Sequence, residues 1–210
     1  MIFSLEKIIK QELKEYTRKW ALGNEVLYEL CQKHPEHKTE GEVLAKIWLI
    51  GRSYAAALER RQKQDGLNTE DFYNKAADQI KKSKIDEWIK ECRNNSDPIV
   101  HIKTHKKVVN LFETITGLEK RSLASKYLHF HLPGAFFIYD SRAVGAMPAL
   151  LRKLGIKKVS NTYKSEEYDE KYAAFYEKCL VAQKAIKEKY SINCSCRDID
   201  TVLLNIKKLY

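Results

Sequence analysis

The sequence predicts an all-α protein, and three observations carry that prediction. Apolar residues recur at three- and four-residue spacing along nearly the whole chain. Only 8 glycines and 4 prolines occur in 210 residues, too few for the many tight turns of a β-sandwich or barrel. No stretch alternates apolar and polar residues like a half-buried strand, and no repeat or low-complexity tract interrupts the pattern. With 44% apolar and 31% charged residues, a substantial core can form beneath a well-solvated surface. The expectation is one compact multi-helix domain over 1–210. Its candidate lobes are 1–96 joined by 165–210, and a basic segment 97–164.

Each element follows from a local signal. Phe3, Ile8, Ile9, Leu13, Tyr16 and Trp20 form a helical stripe over 3–20. Leu22–Cys31 continues as a second, short helix ended by the polar run KHPEHK. Thr39 and Glu42 read as a capping box, in which hydroxyl and carboxylate satisfy the first free amides. The helix that follows carries Val43, Ile47, Ile50, Tyr54 and Ala57 and is expected to run to about Arg61. Gly66 separates it from a helix over about Glu70–Lys82 and a shorter one over Ile85–Cys92. Asp97-Pro98 opens the next, because proline is tolerated in a first turn, and Val108, Leu111, Phe112 and Ile115 are its buried stripe up to Gly117.

Residues 119–131 form one more short helix, broken by Leu132-Pro133-Gly134. Phe136-Phe137-Ile138-Tyr139 is too short and apolar to be anything but a buried connector. Asp140 stands at an N-cap position and opens a helix over Ser141–Leu154 that ends at Gly155, with Pro148 placed to split it. After a polar linker near 156–164, Tyr168, Tyr172, Phe175, Cys179, Ala182 and Ile186 define a long amphipathic helix. A last helix begins near Arg197.

Composition narrows the functional classes. No run of about 18 apolar residues occurs, so no membrane-spanning helix is expected. The N-terminus is an amphipathic pattern with acids and lacks the basic start and long apolar run of a signal peptide. Five cysteines, an odd number without a CxxC, imply no disulfide framework, and a reducing cytoplasm is the expected compartment. Phosphate-cradle and hydrolase signatures (a Walker loop, GxGxxG, GxSxG, HExxH) are absent. Of the pairs His34/His37, His101/His105 and His129/His131, only the second can share a helical face, and no third ligand stands near it. Neither a metal nor a cofactor is expected.

The net charge of +10 is concentrated in one place. Residues 101–164 hold 12 bases and 3 acids, whereas 1–100 hold 18 and 17, and 165–210 hold 8 of each. Arg142, Arg152, Lys153, Lys157, Lys158 and Lys164 fall in a stretch, 141–164, that has no acid at all. A localised positive face between balanced flanks is the footprint of a polyanion, and nucleic acid is the expected partner.

Two segments carry candidate chemistry. In WLIGRSYAAALER, Arg52 is the only charge between Lys46 and Glu59, amid Trp48, Leu49, Ile50 and Tyr54. A guanidinium embedded there needs a carboxylate, a phosphate or several carbonyls, which makes it either an internal tie between helices or part of a substrate pocket. In SLASKYLHFHLPGAFFIYDSRAV, Ser122, Lys126, His129 and Phe130 share one helical side. Lys126 is the only charge in a long aromatic stretch until Asp140. A lysine in such surroundings tends to lose its proton and become a nucleophile. Asp140, at a helix start beside Tyr139 and Arg142, stays ionised. Together they are the parts needed to attack a sugar C1′ and to stabilise oxocarbenium-like charge. The plainer alternative is that Asp140 only caps its helix while Lys126 snorkels to solvent or neutralises it.

These residues resemble the helix-hairpin-helix DNA glycosylase superfamily, in particular small bacterial proteins of oxoguanine-glycosylase-like fold. The resemblance rests on Ser125-Lys126, Leu128-His129-Phe130 and the run Phe137 to Arg142, and it covers about residues 97–154. It implies a helical hairpin gripping DNA phosphates, Lys126 as the Schiff-base lysine and Asp140 as the catalytic aspartate. The chain departs from the family pattern in two places. Gly117-Leu118-Glu119-Lys120 stands where an LPGVG-like turn is usual, and 14 residues separate Lys126 from Asp140, about one helical turn fewer than the family has.

The leading expectation is therefore a DNA-interacting protein, active in DNA repair if catalytic. It would flip a damaged base into a pocket lined by Arg52, Tyr54, His129 and Tyr139, with Arg142–Lys164 tracking the backbone. The alternative is a non-catalytic module in antiphage defence that binds nucleic acid, a nucleotide or a protein. In that case Arg52 would pair with Asp140 and Lys126 would keep an ordinary pKa.

Overall fold

The computed structural model describes residues 5–60, 68–160 and 162–206, except for the side chains of residues 8 and 12–20. Phe3, Gly66 and the side chains of Ile8, Leu13, Tyr16 and Trp20 thus lie outside the described residues. Among those described there are nine α-helices and no strand, as the periodicity predicts. They are α1 (Leu5–Lys33), α2 (Glu40–Ser53), α3 (Thr69–Lys81), α4 (Ile85–Asn94), α5 (Pro98–Thr116), α6 (Arg121–His131), α7 (Ser141–Leu154), α8 (Glu170–Tyr190) and α9 (Cys196–Asn205). None of them is long and apolar enough to cross a membrane, and all five thiols are free.

Local chemistry sets most boundaries. Thr39 and Glu42 close the capping box that starts α2, and Asp97 with Pro98 starts α5. Gly117 ends α5 at φ 70° and Gly155 ends α7 at φ 82°, left-handed positions that glycine takes without a Cβ penalty. Three expectations are corrected. The helices expected over 3–20 and 22–31 are one continuous α1, since nothing near Ala21 or Leu22 breaks it. Pro148 does not split α7, which gives up one hydrogen bond there and continues.

The third correction concerns α2, which ends at Ser53 rather than near Arg61. The chain turns sharply at Ala55, φ 51°, and Ala56 N donates back to the Gly51 carbonyl at 2.8 Å. The carbonyls released by that turn are taken elsewhere, Tyr54 O by Lys126 and Ala55 O by Arg60. A Cβ on Gly51 would lie 3.1 Å from the Ala57 Cα, which is backbone and cannot swing aside. Gly51→Ala is therefore expected to cost about 1–3 kcal/mol in a urea titration. Gly41→Ala, with open space around the added methyl, should not destabilise. Equal midpoints for the two variants would show that the 54–57 turn yields freely.

One hydrophobic cluster runs through all the helices, with α6 at its centre. α6 packs on α1, α2 and α5, and every residue from Leu123 to His131 is buried. α7 lies between α8 and α9, and α9 returns to α1. The loop leading into α2 is pinned by His37. Its Nδ1 donates to Asp86 at 2.5 Å, so its Nε2 accepts from the Tyr127 hydroxyl at 2.6 Å.

Candidate functional site where helices α6 and α7 meet

The connector between α6 and α7 is buried, as expected from its composition: Phe136, Phe137 and Ile138 are almost wholly enclosed. Backbone in such a place needs partners, and the surrounding side chains supply them. His129 Nδ1 donates to Phe136 O at 2.8 Å, Tyr172 to Phe137 O at 3.2 Å, and Tyr176 to Ala135 O at 2.9 Å. Tyr139 N donates to Ser125 Oγ at 3.0 Å. These bonds hold the chain against α6 and deliver Asp140 to the start of α7. There its Oδ1 accepts from Ala143 N at 2.8 Å.

The other carboxylate oxygen, Asp140 Oδ2, lies 3.9 Å from Lys126 Nζ. Lys126 is buried, with its side chain only 4% exposed, and donates to Ser122 Oγ at 3.0 Å and Tyr54 O at 3.1 Å. The Tyr54 ring stands 5.9 Å from the amine and 5.4 Å from the Arg197 guanidinium, and its hydroxyl donates to Asn24. Burial lowers the Lys126 pKa below the ordinary lysine value. Asp140 and Asp200 act against that shift, and Arg142 adds to it. Snorkelling to solvent is thus not what this lysine does.

A second carboxylate completes the cluster. Asp200 is 3% exposed, its Oδ2 accepts from Arg197 Nη1 at 3.0 Å, and its Oδ1 has no hydrogen-bond partner among the described residues. Burial raises its pKa to about 6, with Asp140 adding to the shift and Arg197, Lys126 and Arg142 opposing it. Sequence reasoning missed Asp200 and Arg197. The signal was present: Cys196, Ile199, Asp200 and Leu203 form the i, i+3, i+4, i+7 stripe of α9, so an aspartate occupies an apolar position.

The other expected site residues are placed as follows. Arg52 is not embedded. Its side chain is half exposed and pairs with Glu59, because α2 turns it outward just before the chain reverses. His129 is fully buried, with both ring nitrogens engaged: Nδ1–H on Phe136 O, and Nε2 accepting from Tyr28 at 2.7 Å. Tyr139 is half-buried, with its ring near Arg121 and Phe175. Arg142, Arg152, Lys157, Lys158 and Lys164 are exposed and Lys153 partly so, along α7 and the chain after it. The fold thus brings Lys126, Asp140 and Tyr54 together, while Arg52 pairs with Glu59 instead. No group of three or more potential metal ligands occurs among the described residues.

The chain matches no protein-family model, no curated protein and no solved structure with which it was compared.

Proposed function

We propose that the protein binds DNA and excises a damaged base by cleaving the N-glycosidic bond with Lys126 and Asp140. The observation that carries this reading is the 3.9 Å approach of a buried, pKa-lowered amine to a carboxylate delivered by a separate helix. Two features favour it over a non-catalytic module: Arg52 pairs with Glu59 and not with Asp140, and burial takes Lys126 away from its ordinary pKa.

In the proposed reaction, the neutral Lys126 amine attacks C1′ as the C1′–N bond breaks. The base leaves with the bonding electron pair and is protonated. The Asp140 carboxylate stabilises positive charge on the sugar. The attacking nitrogen then sheds a proton and, on opening of the sugar ring, forms a Schiff base that borohydride can reduce. The exposed cations from Arg142 to Lys164 would follow the DNA backbone, and log K would fall with log salt by about 0.9 per phosphate neutralised.

The test is borohydride trapping on duplexes containing oxoguanine, uracil or an abasic site. A covalent adduct is expected with the native protein and none with Lys126→Ala. Asp140→Asn, which preserves the cap, should slow trapping by about 100-fold. Salt-sensitive DNA retention without an adduct would replace this reading with a non-catalytic DNA-binding module. Neither adduct nor retention would end it.

A further inference from the structure

Helices α7 and α8 leave between them a cavity of about 780 Å³, within the size range of small-molecule sites. Its floor is hydrocarbon, including Met147, Leu151, Ile156 and Phe175. Its charged lining is entirely cationic: Arg152 and Lys157 from the α7 side, Lys171 and Lys178 from α8. The α8 pair is spaced i, i+7, with Ala174 and Phe175 between, so both cations flank the same apolar strip.

Four like charges around one cavity repel each other, and Lys157, Lys171 and Lys178 have no ion-pair partner among the described residues. The cations call for an anion and the floor calls for hydrocarbon. No acidic, hydroxyl or amide side chain lines the cavity among the described residues, so no side chain there can accept from the exocyclic amine of a base such as adenine. A concave site of this volume encloses a small molecule rather than the broad, flat surface of a macromolecule.

We propose that the α7–α8 cavity binds a small amphiphilic anion, a hydrocarbon chain ending in one carboxylate or phosphate. The chain lies on Met147, Leu151 and Phe175, and the head group sits among the four cations. The site is separate from the Lys126–Asp140 pair, since Lys171 and Lys178 fall outside both that cluster and the basic segment 141–164. Substituting them therefore tests the cavity without altering the proposed DNA track.

Calorimetric titration of the full chain with monomeric dodecanoate and dodecyl phosphate tests this. Dodecyltrimethylammonium controls for charge, adenosine monophosphate for the hydrocarbon chain. Both dodecyl anions should bind and neither control should. The double variant Lys171→Glu/Lys178→Glu should weaken binding at least about tenfold. Ala174→Trp, which fills the cavity and leaves every cation in place, should abolish it. The inference is overturned if the dodecyl anion and cation bind alike, or if the nucleotide binds and dodecanoate does not. It is equally overturned if only phosphatidylglycerol vesicles bind, or if Ala174→Trp leaves dodecanoate affinity unchanged.

Discussion

Arg121→Ala is expected to destabilise the protein by about 3–5 kcal/mol, lowering the thermal midpoint by roughly 10 °C. Arg121 Nε lies 2.6 Å from Asp169 Oδ2 and 2.7 Å from Oδ1, and the Asp169 side chain is only 2% exposed. Asp169 also caps α8 by accepting from Tyr172 N at 2.9 Å. Burial alone would raise its carboxyl pKa. The Arg121 guanidinium and the Tyr172 amide together hold it below the ordinary value instead. Removing the guanidinium leaves a buried carboxylate at a helix start with one amide for company. The double variant Arg121→Ala/Asp169→Asn should recover part of the loss, because no unpaired charge remains. A loss below about 1 kcal/mol for Arg121→Ala would mean that the pair behaves as an exposed one. The ion pair ties the first residue of α6 to the start of α8, so it also sets where α6 carries Lys126.

Asp200→Asn should remove a pH dependence. In the folded protein Asp200 titrates near pH 6, against about 3.8 when unfolded, so the folded state holds this proton more tightly. The associated stability is fully present below about pH 3.8, declines as pH rises and is gone above about pH 6. A shift of roughly two units corresponds to about 3 kcal/mol. Asparagine does not titrate. The stability of the variant minus that of the native protein should therefore rise by about that amount between pH 4 and pH 7, measured by urea unfolding. Taking the difference cancels the buried histidines, which act oppositely. Burial lowers His105 to about 3 and His129 to about 4, so each costs stability as pH falls below about 6.5. A pH-independent difference would show that Asp200 is solvated.

The helices were legible where local chemistry decides them. Thr39, Asp97, Asp140, Gly117 and Gly155 mark ends that hydrogen bonding and backbone sterics fix within one turn. The end of α2 was not, because alanines at 55–57 favour helix and the reversal depends on Lys126, seventy-two positions along the chain from Tyr54, taking the freed carbonyl. The Lys126–Asp140 pair was legible as two isolated charges in apolar surroundings. Arg52 satisfied the same criterion and lies half exposed, because sparse charge shows which residue is unusual and not which way its helix faces. Asp200 could be seen only by asking which charged residue interrupts an apolar stripe.

The enclosure of α6 bears on how the candidate site can open. From Leu123 to His131 the helix is buried beneath α1, α2, α5 and the 136–139 connector. The amides of that stretch are expected to exchange among the slowest in the protein. The amine of Lys126 is therefore carried by one of the last elements to loosen. Its cover is different in kind: the Tyr54 turn is short, bends through a left-handed alanine and lies at a helix end. Displacing that turn would take from the amine one of its two hydrogen-bond partners and leave α6 packed.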